Sequence, residues 1–419
     1  MVKSLDIFKE YLSKLGGTYP DIEEVYLLIK HMSKELNLKL IHITNSRCGL
    51  PVYGLVRGDG VDLLIVCGDP NEAPATLSLI ALTDYISRTS DIGLISIPVL
   101  DPCSYRFNLW VKSPGDLLKY FLWSYRPPMR LFPEYGFLNP HLPESISVRD
   151  LINELRPKVC VGLHTQPFPG SYILLSESSG GIEEVFRSVS KDLNVPYVVL
   201  DKLFDMYPSI SDGCYSMVEP FRDGIDFLSL EAYSVLNRVS RFSIIVDTAK
   251  YTSHYSMVKE PCSEGVKYLE SLSKIHHKVV KLLKRAVGVL SKYPSQLGEF
   301  WESFSERFDI SDEIPKVDEN TPCYRWCWEI LYNTLWRDAS MTCKALRLLL
   351  MLKARKIDIP PQLTRNLMNM AKLNLRILIR LGNVRHTKPE EHFLIHTAVV
   401  NEVLKTYLSI ECPDVNRML

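Results

Sequence analysis

Polar side chains stand at the ends of three apolar runs of the sequence. Asp69 and Glu72 follow one run, His164 ends a second, and Asp247 ends a third. Carboxylates and imidazoles bind zinc, and the same groups accept and donate protons near neutral pH. We therefore expect a metal site or an acid–base site if the fold brings these four side chains together.

The same residues also have explanations that require no chemistry. Asp69, Pro70 and Glu72 have the order of a helix start, in which Asp69 caps the helix and Glu72 closes a capping box. A single histidine at a strand end, such as His164, is more often a hydrogen-bonded structural residue than a metal ligand. Capping and metal binding do not exclude each other, and the sequence leaves both interpretations open.

The elements that must position these side chains follow from hydrophobic periodicity. Short runs rich in β-branched residues predict strands, and amphipathic segments between them predict helices. The predicted strands are Leu38–Ile43, Val52–Val56, Leu63–Cys67, Leu94–Val99, Val159–Leu163, Ser171–Leu175, Tyr197–Leu200 and Ser243–Val246. The predicted helices between them are Ala75–Ser87, Leu117–Trp123, Val148–Leu155 and Ile182–Lys191. This alternation predicts an α/β fold with a mixed, largely parallel sheet flanked by helices.

Helical patterns precede and follow this region and set the predicted domain boundaries. Residues 1–37 are predicted as N-terminal helices, residues 38–255 as the α/β domain, and residues 262–419 as an all-helical C-terminal region without strands. One long amphipathic helix is expected over about 266–290. Such helices can cover a cleft, form a dimer or only pack, and the pattern does not choose among these roles or indicate an oligomeric state.

In order and spacing, the polar segments resemble the zinc carboxypeptidase family, the carboxypeptidase A-like metallopeptidases. The matching positions, in chain order, are Ser46, Gly49 and Pro51 of a first turn, Asp69 and Glu72 of the zinc-binding H-x-x-E motif, Pro98, Asp101 and Pro102 of a proline-containing loop, His164 after Leu163, and Asp247 at the place of the catalytic glutamate. The resemblance covers about residues 38–251. Each motif alone is weak, and their common order is more specific than any one of them.

The resemblance implies a divergent member of that family with one zinc ion held by Asp69, Glu72 and His164, and with Asp247 as the catalytic base. Asp69 stands where the family has histidine, and Asp247 where it has glutamate. Two carboxylate ligands would make a bound water less acidic and would favour harder metals such as manganese. Because aspartate is one methylene shorter than glutamate, Asp247 would have to approach the substrate more closely or act through a water.

The resemblance also implies a group that binds the C-terminal carboxylate of a substrate. Arg106 with Asn108, or Arg126, are the candidates for this substrate-binding role, because a guanidinium can hold a carboxylate with two hydrogen bonds. Arg126 could instead pair with an acid on the surface.

Three functions are compatible with these residues. The first is metal-dependent hydrolysis of a peptide or amide bond, most simply at the C-terminus of a peptide. The second is removal of the acyl group from small N-acyl amino acids, which a closed pocket would favour. The third is a catalytically inactive carboxypeptidase-like protein that binds a peptide or protein partner, which the replacements at Asp69 and Asp247 favour and the retained Glu72 and His164 oppose.

Composition argues against several other classes of function. The chain of 419 residues has 49 basic and 49 acidic side chains and no basic run, so we expect no nucleic-acid partner. The N-terminus lacks the apolar core of a signal peptide, and no apolar stretch approaches the roughly 20 residues of a membrane span. We therefore expect a soluble, cytoplasmic protein that does not act at membranes and whose partner is a peptide or small amide substrate.

The remaining metal-binding residue types give weaker signals. The ten cysteines contain no CxxC pair, so we expect buried free thiols and no disulfide framework. His392 and His396 lie four residues apart on a predicted helix but lack a third ligand nearby, so we interpret them as ordinary helix residues. His276 and His277 are expected at the surface.

Overall fold

The computed structural model describes residues 4–222, 229–308, 311 and 313–410. Within these residues the strands are β1 Lys39–Asn45, β2 Pro51–Arg57, β3 Leu63–Val66, β4 Leu94–Ile97, β5 Val159–His164, β6 Tyr172–Leu175, β7 Lys202–Leu203, β8 Tyr207–Ser211, β9 Cys214–Ser216, β10 Phe242–Asp247, β11 Tyr251–Ser253 and β12 Val384–His386.

The helices divide into those among the strands and those after β11. The first group is α1 Ser4–Lys14, α2 Ile22–Glu35, α3 Ala73–Thr89, α4 Pro102–Tyr105, α5 Leu117–Trp123, α6 Pro143–Leu155, α7 Gly181–Asp192, α8 Glu219–Arg222 and α9 Leu230–Leu236. The second group is α10 Ser263–Val266, α11 Leu269–Leu290, α12 Pro294–Leu297, α13 Glu299–Glu306, α14 Cys323–Trp326, a π-helix Cys327–Trp336, α15 Arg337–Ala354, α16 Pro361–Gly382 and α17 Pro389–Leu408.

One sheet of ten strands forms the centre of the described structure, in the order β1-β2-β4-β3-β5-β10-β6-β9-β8-β7. The four central strands β4, β3, β5 and β10 are parallel to one another. Each residue of these strands is buried, which explains why they appear in the sequence as continuous apolar runs. The pairs β1–β2, β2–β4, β10–β6, β9–β8 and β8–β7 are antiparallel, and β6–β9 is parallel. The predicted mixed α/β fold with a helical C-terminal region is confirmed.

The C-terminal helices pack directly on the α/β part. Helix α17 lies against α3 and α7, and β12 pairs with β11 in a small second sheet. Apolar residues of the π-helix and of α17 belong to the same core as the inner face of the large sheet. Burial of a shared core holds these helices in place over the sheet.

Several local predictions differ from the structure. The predicted strand Tyr197–Leu200 forms only a single bridge, from Tyr197 to Ser171, whereas the hairpin strands β7 to β9 were not predicted. Their short and partly polar sequences lack the continuous apolar pattern of the central strands. Strand β12 lies within the region predicted to be purely helical.

The prediction of free thiols is wrong for one pair of cysteines. Cys48 and Cys103 form a disulfide, because the pairing of β2 with β4 brings the turn before β2 close to the loop after β4. Seven other cysteines are free and buried, as predicted. Cys412 lies outside the described residues. His276 is also buried and pairs with Asp338, with Nδ1 and Oδ2 2.9 Å apart, so its predicted surface position is wrong.

No helix among the described residues has the length and apolar character needed to cross a membrane.

Candidate metal centre and its cleft

The ends of three neighbouring parallel strands bring the predicted site residues to one edge of the sheet. Strand β3 leads into the loop with Asp69 and Glu72, β5 ends at His164, and β10 ends at Asp247. Asp247 and His164 are direct partners in the pairing of β10 with β5. Ligand sites of α/β sheets lie at this carboxyl edge, because the loops that follow parallel strands converge there.

Glu72 and His164 form the closest pair in this cluster. Glu72 Oε2 and His164 Nδ1 lie 2.9 Å apart, and both side chains are buried. Among the described residues, Glu72 Oε2 has no hydrogen-bond donor with suitable geometry. Two ligands of a tetrahedral zinc ion, each about 2.0–2.2 Å from the metal, are separated by a little more than 3 Å. The pair therefore has the donor types and the approximate spacing of two metal ligands.

Asp69 does not join this pair directly. Its Oδ2 lies 2.9 Å from Arg126 Nε, and its Oδ1 accepts a hydrogen bond of 3.2 Å from the backbone N–H of Asn71. Asp69, Glu72 and His164 do not offer one ligand atom each within 4.8 Å of one another. Helix α3 begins at Ala73, with Glu72 at the cap position and no side-chain cap. The alternative in which Asp69 and Glu72 form a capping box is therefore wrong.

Two buried carboxylates that the sequence analysis missed surround His164. Glu134 Oε1 lies 3.1 Å from His164 Nε2. Glu231 Oε1 is so close to β5 that a Cβ atom on Gly162 would lie 2.3 Å from it, and a Cβ atom on Gly68 would lie 2.7 Å from Glu134 Cγ. The two glycines leave the room that the carboxylates occupy. The available signal was a single acidic residue inside an otherwise apolar segment in each case.

Burial and mutual repulsion govern the protonation of these groups. Burial raises the pKa of Glu134 well above its usual value, although the charge of His164 opposes this, and burial also raises the pKa of Glu231. Burial disfavours protonation of His164, but the carboxylates of Glu134 and Glu72 outweigh it and raise the pKa of the imidazole. Five buried carboxylates, with Asp69 and Asp247 included, thus lie close together at this edge of the sheet, an arrangement that favours shared protons or a bound cation.

Asp247 is held next to this pair by the backbone of the β5 loop. Its Oδ1 accepts a hydrogen bond from the N–H of Gln166. Burial and the charge of Glu72 raise the pKa of Asp247 to about 7, and the charge of His164 opposes the shift. The side chain of Lys250 is buried nearby and donates to the carbonyl oxygen of Thr165. Burial lowers the pKa of Lys250, and the charge of Glu72 partly offsets this.

The three residues predicted to bind a substrate carboxylate are separated by the fold. Arg126 lines the cleft and packs over the ring of Phe132. Arg106 is exposed on the surface, where it stacks on Phe107, and it does not line the cleft. The amide of Asn108 is buried and holds the backbone of Tyr125 through both its oxygen and its nitrogen. Asn108 therefore positions the loop of Arg126, and the predicted contact of Arg106 and Asn108 with substrate is not supported.

A cleft of about 550 Å³ lies above the candidate centre. Its floor contains Glu72, His164 and Asp247, and its opposite wall comes from the C-terminal helices, through Tyr332 and Trp336 of the π-helix and residues of α15. Of the roles left open for the helical region, covering the cleft is the one that the structure shows.

The two histidines of α17 lie behind the centre. Thr248 Oγ1 lies 2.7 Å from His392 Nδ1, and His396 Nε2 lies 3.2 Å from the carbonyl oxygen of His164. Burial lowers the pKa of His396 to about 3, so the ring is neutral and donates a hydrogen bond to that carbonyl. These two buried histidines therefore support the backbone of the site, a role that the interpretation as ordinary helix residues did not include.

A second group with metal-binding residue types does not fit a metal. Asp101, Cys103 and Glu144 place potential ligand atoms within 4.8 Å of one another. However, Cys103 is part of the disulfide, and a cysteine ligates metals as a thiolate. The guanidinium of Arg47 already occupies the space, with Nη1 2.8 Å from Asp101 and 3.8 Å from Glu144.

No protein-family model and no curated protein sequence matches the chain. Among solved structures, it is similar to a protein provisionally named a metallopeptidase from Shewanella denitrificans OS217, with 15% identity over 55% of this chain and 82% of that chain and a TM-score of 0.41. It is also similar to a metallo-carboxypeptidase from Burkholderia cenocepacia, with 12% identity over 55% and 60% of the two chains and a TM-score of 0.37. It is likewise similar to the carboxypeptidase A of Helicoverpa armigera, with 15% identity over 55% of this chain and 65% of that chain and a TM-score of 0.35.

Proposed function

We propose that this chain is a metal-dependent hydrolase that cleaves an amide bond in a peptide or another small amide. The observation that carries the proposal is the approach of Glu72 Oε2 to His164 Nδ1 at 2.9 Å on the floor of a cleft, with Glu72 Oε2 lacking a hydrogen-bond donor among the described residues. A buried carboxylate oxygen next to an imidazole nitrogen is costly unless a proton or a cation joins them.

Glu72 and His164 would hold the metal ion, and Asp69 is the third ligand that the resemblance implies. Asp69 is paired with Arg126, so its recruitment would compete with that ion pair. A set of two carboxylates and one histidine suits zinc and also manganese. When bound, an ion of this kind would polarise the scissile carbonyl and make a water easier to deprotonate.

Asp247 would act as the general base. Its buried carboxyl group has a pKa of about 7, which suits proton transfer near neutral pH. The hydrogen bond from Gln166 N–H fixes its orientation at the edge of the cleft. Arg126 would bind the carboxylate of the substrate next to the scissile bond.

Two alternatives are each favoured by a particular observation. The Asp69–Arg126 ion pair favours a peptide-binding protein without activity, because it removes the third ligand. The wall formed by the π-helix and α15 favours a small substrate such as an N-acyl amino acid, because about 550 Å³ is the size of a small-molecule pocket.

The proposal is tested first by metal content, measured by mass spectrometry on protein purified without chelators and on protein soaked with zinc or manganese. We expect close to one metal ion per chain, lost in Glu72→Gln and His164→Ala. The matched control is His31→Ala, because His31 lies exposed on α2, where it pairs with Glu35. If the unaltered protein binds no metal even in excess zinc or manganese, the hydrolase proposal is wrong.

Hydrolysis of peptides and N-acyl amino acids is then measured with the metal-loaded protein. We expect Asp247→Asn to retain the metal but to lose about 10²–10⁴-fold in kcat, the usual contribution of a general base. Full activity of Asp247→Asn would show that Asp247 is not the general base. Metal binding without turnover of any substrate would instead favour the peptide-binding alternative.

A further inference from the structure

A group of cations lines the cleft opposite the carboxylates. Lys344 of α15 and Arg307, at the end of α13, both face the cleft. Arg347 follows Lys344 by three residues and so lies on the same face of α15. Arg347 and Lys344 border a side chamber of about 30 Å³, which shares Arg126 and Ser124 with the main cleft.

These cations lack acidic partners among the described residues. Lys344 makes no hydrogen bond or ion pair there, and Arg307 donates only to Ser303 and to the carbonyl oxygen of Pro127. Arg347 is 8% exposed, its Nε has no partner, and its guanidinium packs over the ring of Phe300.

Burial and the positive charges of this group lower the pKa of Lys344. Burial, followed by the charges of Arg307, Arg126 and Arg347, lowers the pKa of Lys344 to about 7. Arg347 is buried and Lys344 and Arg307 are partly buried. Cations held partly out of water without a carboxylate in direct contact are costly, so the arrangement is suited to a ligand that brings a negative charge with it.

We propose that Lys344, Arg347 and Arg307 bind a second carboxylate of the substrate, so that the preferred substrate is an amide whose terminal residue has an acidic side chain, such as glutamate. This inference rests on the proposed function, in which Arg126 binds the first carboxylate. Because Arg126 borders both the main cleft and the side chamber, a terminal residue held by Arg126 would have its side chain next to Lys344 and Arg347.

Binding to the metal-free protein tests the inference independently of catalysis. Calorimetry compares N-acetyl-L-glutamate with N-acetyl-L-glutamine, which has the same shape but no side-chain charge, after removal of metals with a chelator. We expect the glutamate compound to bind about tenfold or more tightly, the usual effect of a charged hydrogen bond. Lys344→Met should abolish the preference, and Lys344→Arg should retain most of it. The control Lys353→Met, on an exposed position of the same helix, should leave it unchanged.

Equal binding of the two compounds, binding of neither, or a preference that survives in a Lys344→Met, Arg347→Met double variant would overturn the inference. Tighter binding of N-acetyl-O-phosphoserine than of the glutamate compound would overturn the assignment to a carboxylate. The two proposals fail differently. Hydrolysis that does not distinguish glutamate from glutamine would contradict only this inference, whereas selective binding of glutamate by a protein that takes up no metal would contradict only the proposed function.

Discussion

Substitution of Gly162 by alanine tests how the carboxylates are packed around His164. The added Cβ would lie 2.3 Å from Glu231 Oε1 and 3.2 Å from His164 Nε2. A carbon–oxygen contact requires about 3.3 Å, so Glu231 would have to move by about 1 Å within a packed interior. Overpacking of this kind costs about 1–3 kcal/mol of the free energy of unfolding. The effect should appear as a lower urea midpoint at pH 7, followed by tryptophan fluorescence, with an unchanged m value.

Gly60→Ala is the matched control, because Gly60 is exposed and no heavy atom lies within 4 Å of its added Cβ. We expect a change within about 0.5 kcal/mol. In a Glu231→Ala background the clash is absent, so the cost of Gly162→Ala should disappear and the two changes should couple by about 1–3 kcal/mol. If Gly162→Ala behaves like Gly60→Ala, or if its effect simply adds to that of Glu231→Ala, the packing deduced for the site is incorrect.

Three further predictions concern stability. Arg47→Met leaves the buried carboxylates of Asp101 and Glu144 without their cation and should cost about 3–5 kcal/mol of the free energy of unfolding at pH 8. Because burial raises the pKa of Asp101 to about 6, the loss measured by urea unfolding should be smaller at pH 5. An equal loss at both pH values would contradict the ion-pair role of Arg47. Burial lowers the pKa of His396 to about 3, below the value of about 6.5 in an unfolded chain, so its contribution is complete above pH 6.5 and is lost as the pH falls from 6.5 towards 3, by about 1.4 kcal/mol per unit. His396→Gln should therefore weaken the pH dependence of stability in this window, and an unchanged slope would show that the histidine is protonated in the folded protein. Gly288→Ala, at an exposed position of α11 with free space around the added Cβ, should stabilise the protein by about 0.5–1 kcal/mol in the same assay, whereas destabilisation would indicate a contact that the structure does not contain.

The central strands were predictable because a strand that is buried on both faces needs apolar residues at nearly every position. Strands β3, β5 and β10 consist almost entirely of apolar residues, and the polar groups that follow them mark the edge of the sheet. The β7–β9 hairpin left no such signal, because its strands are short and partly polar. The segment Tyr197–Leu200 was predicted as a strand because it is apolar and β-branched, but it joins the sheet through one bridge only.

The chain order of polar residues at strand ends determined that Glu72, His164 and Asp247 would meet, because parallel strands place their carboxyl ends at one edge. No sequence motif marks Glu134 or Glu231 as a residue of the site. They come from a loop and a helix outside β5. The contact of Glu134 with His164 and the approach of Glu231 to β5 depend on the space that Gly68 and Gly162 leave.

Tertiary structure alone decided which charges face one another. The sequence shows Asp69 and Arg126 as separate candidates for metal and substrate, and only the fold pairs them at 2.9 Å. Likewise, the amphipathic pattern of α15 marks a packed helix but does not say that Lys344 faces the cleft, opposite Glu72 and His164. Electrostatic partners depend on distances between segments that are remote in the chain, whereas the apolar pattern of a strand depends only on its own residues.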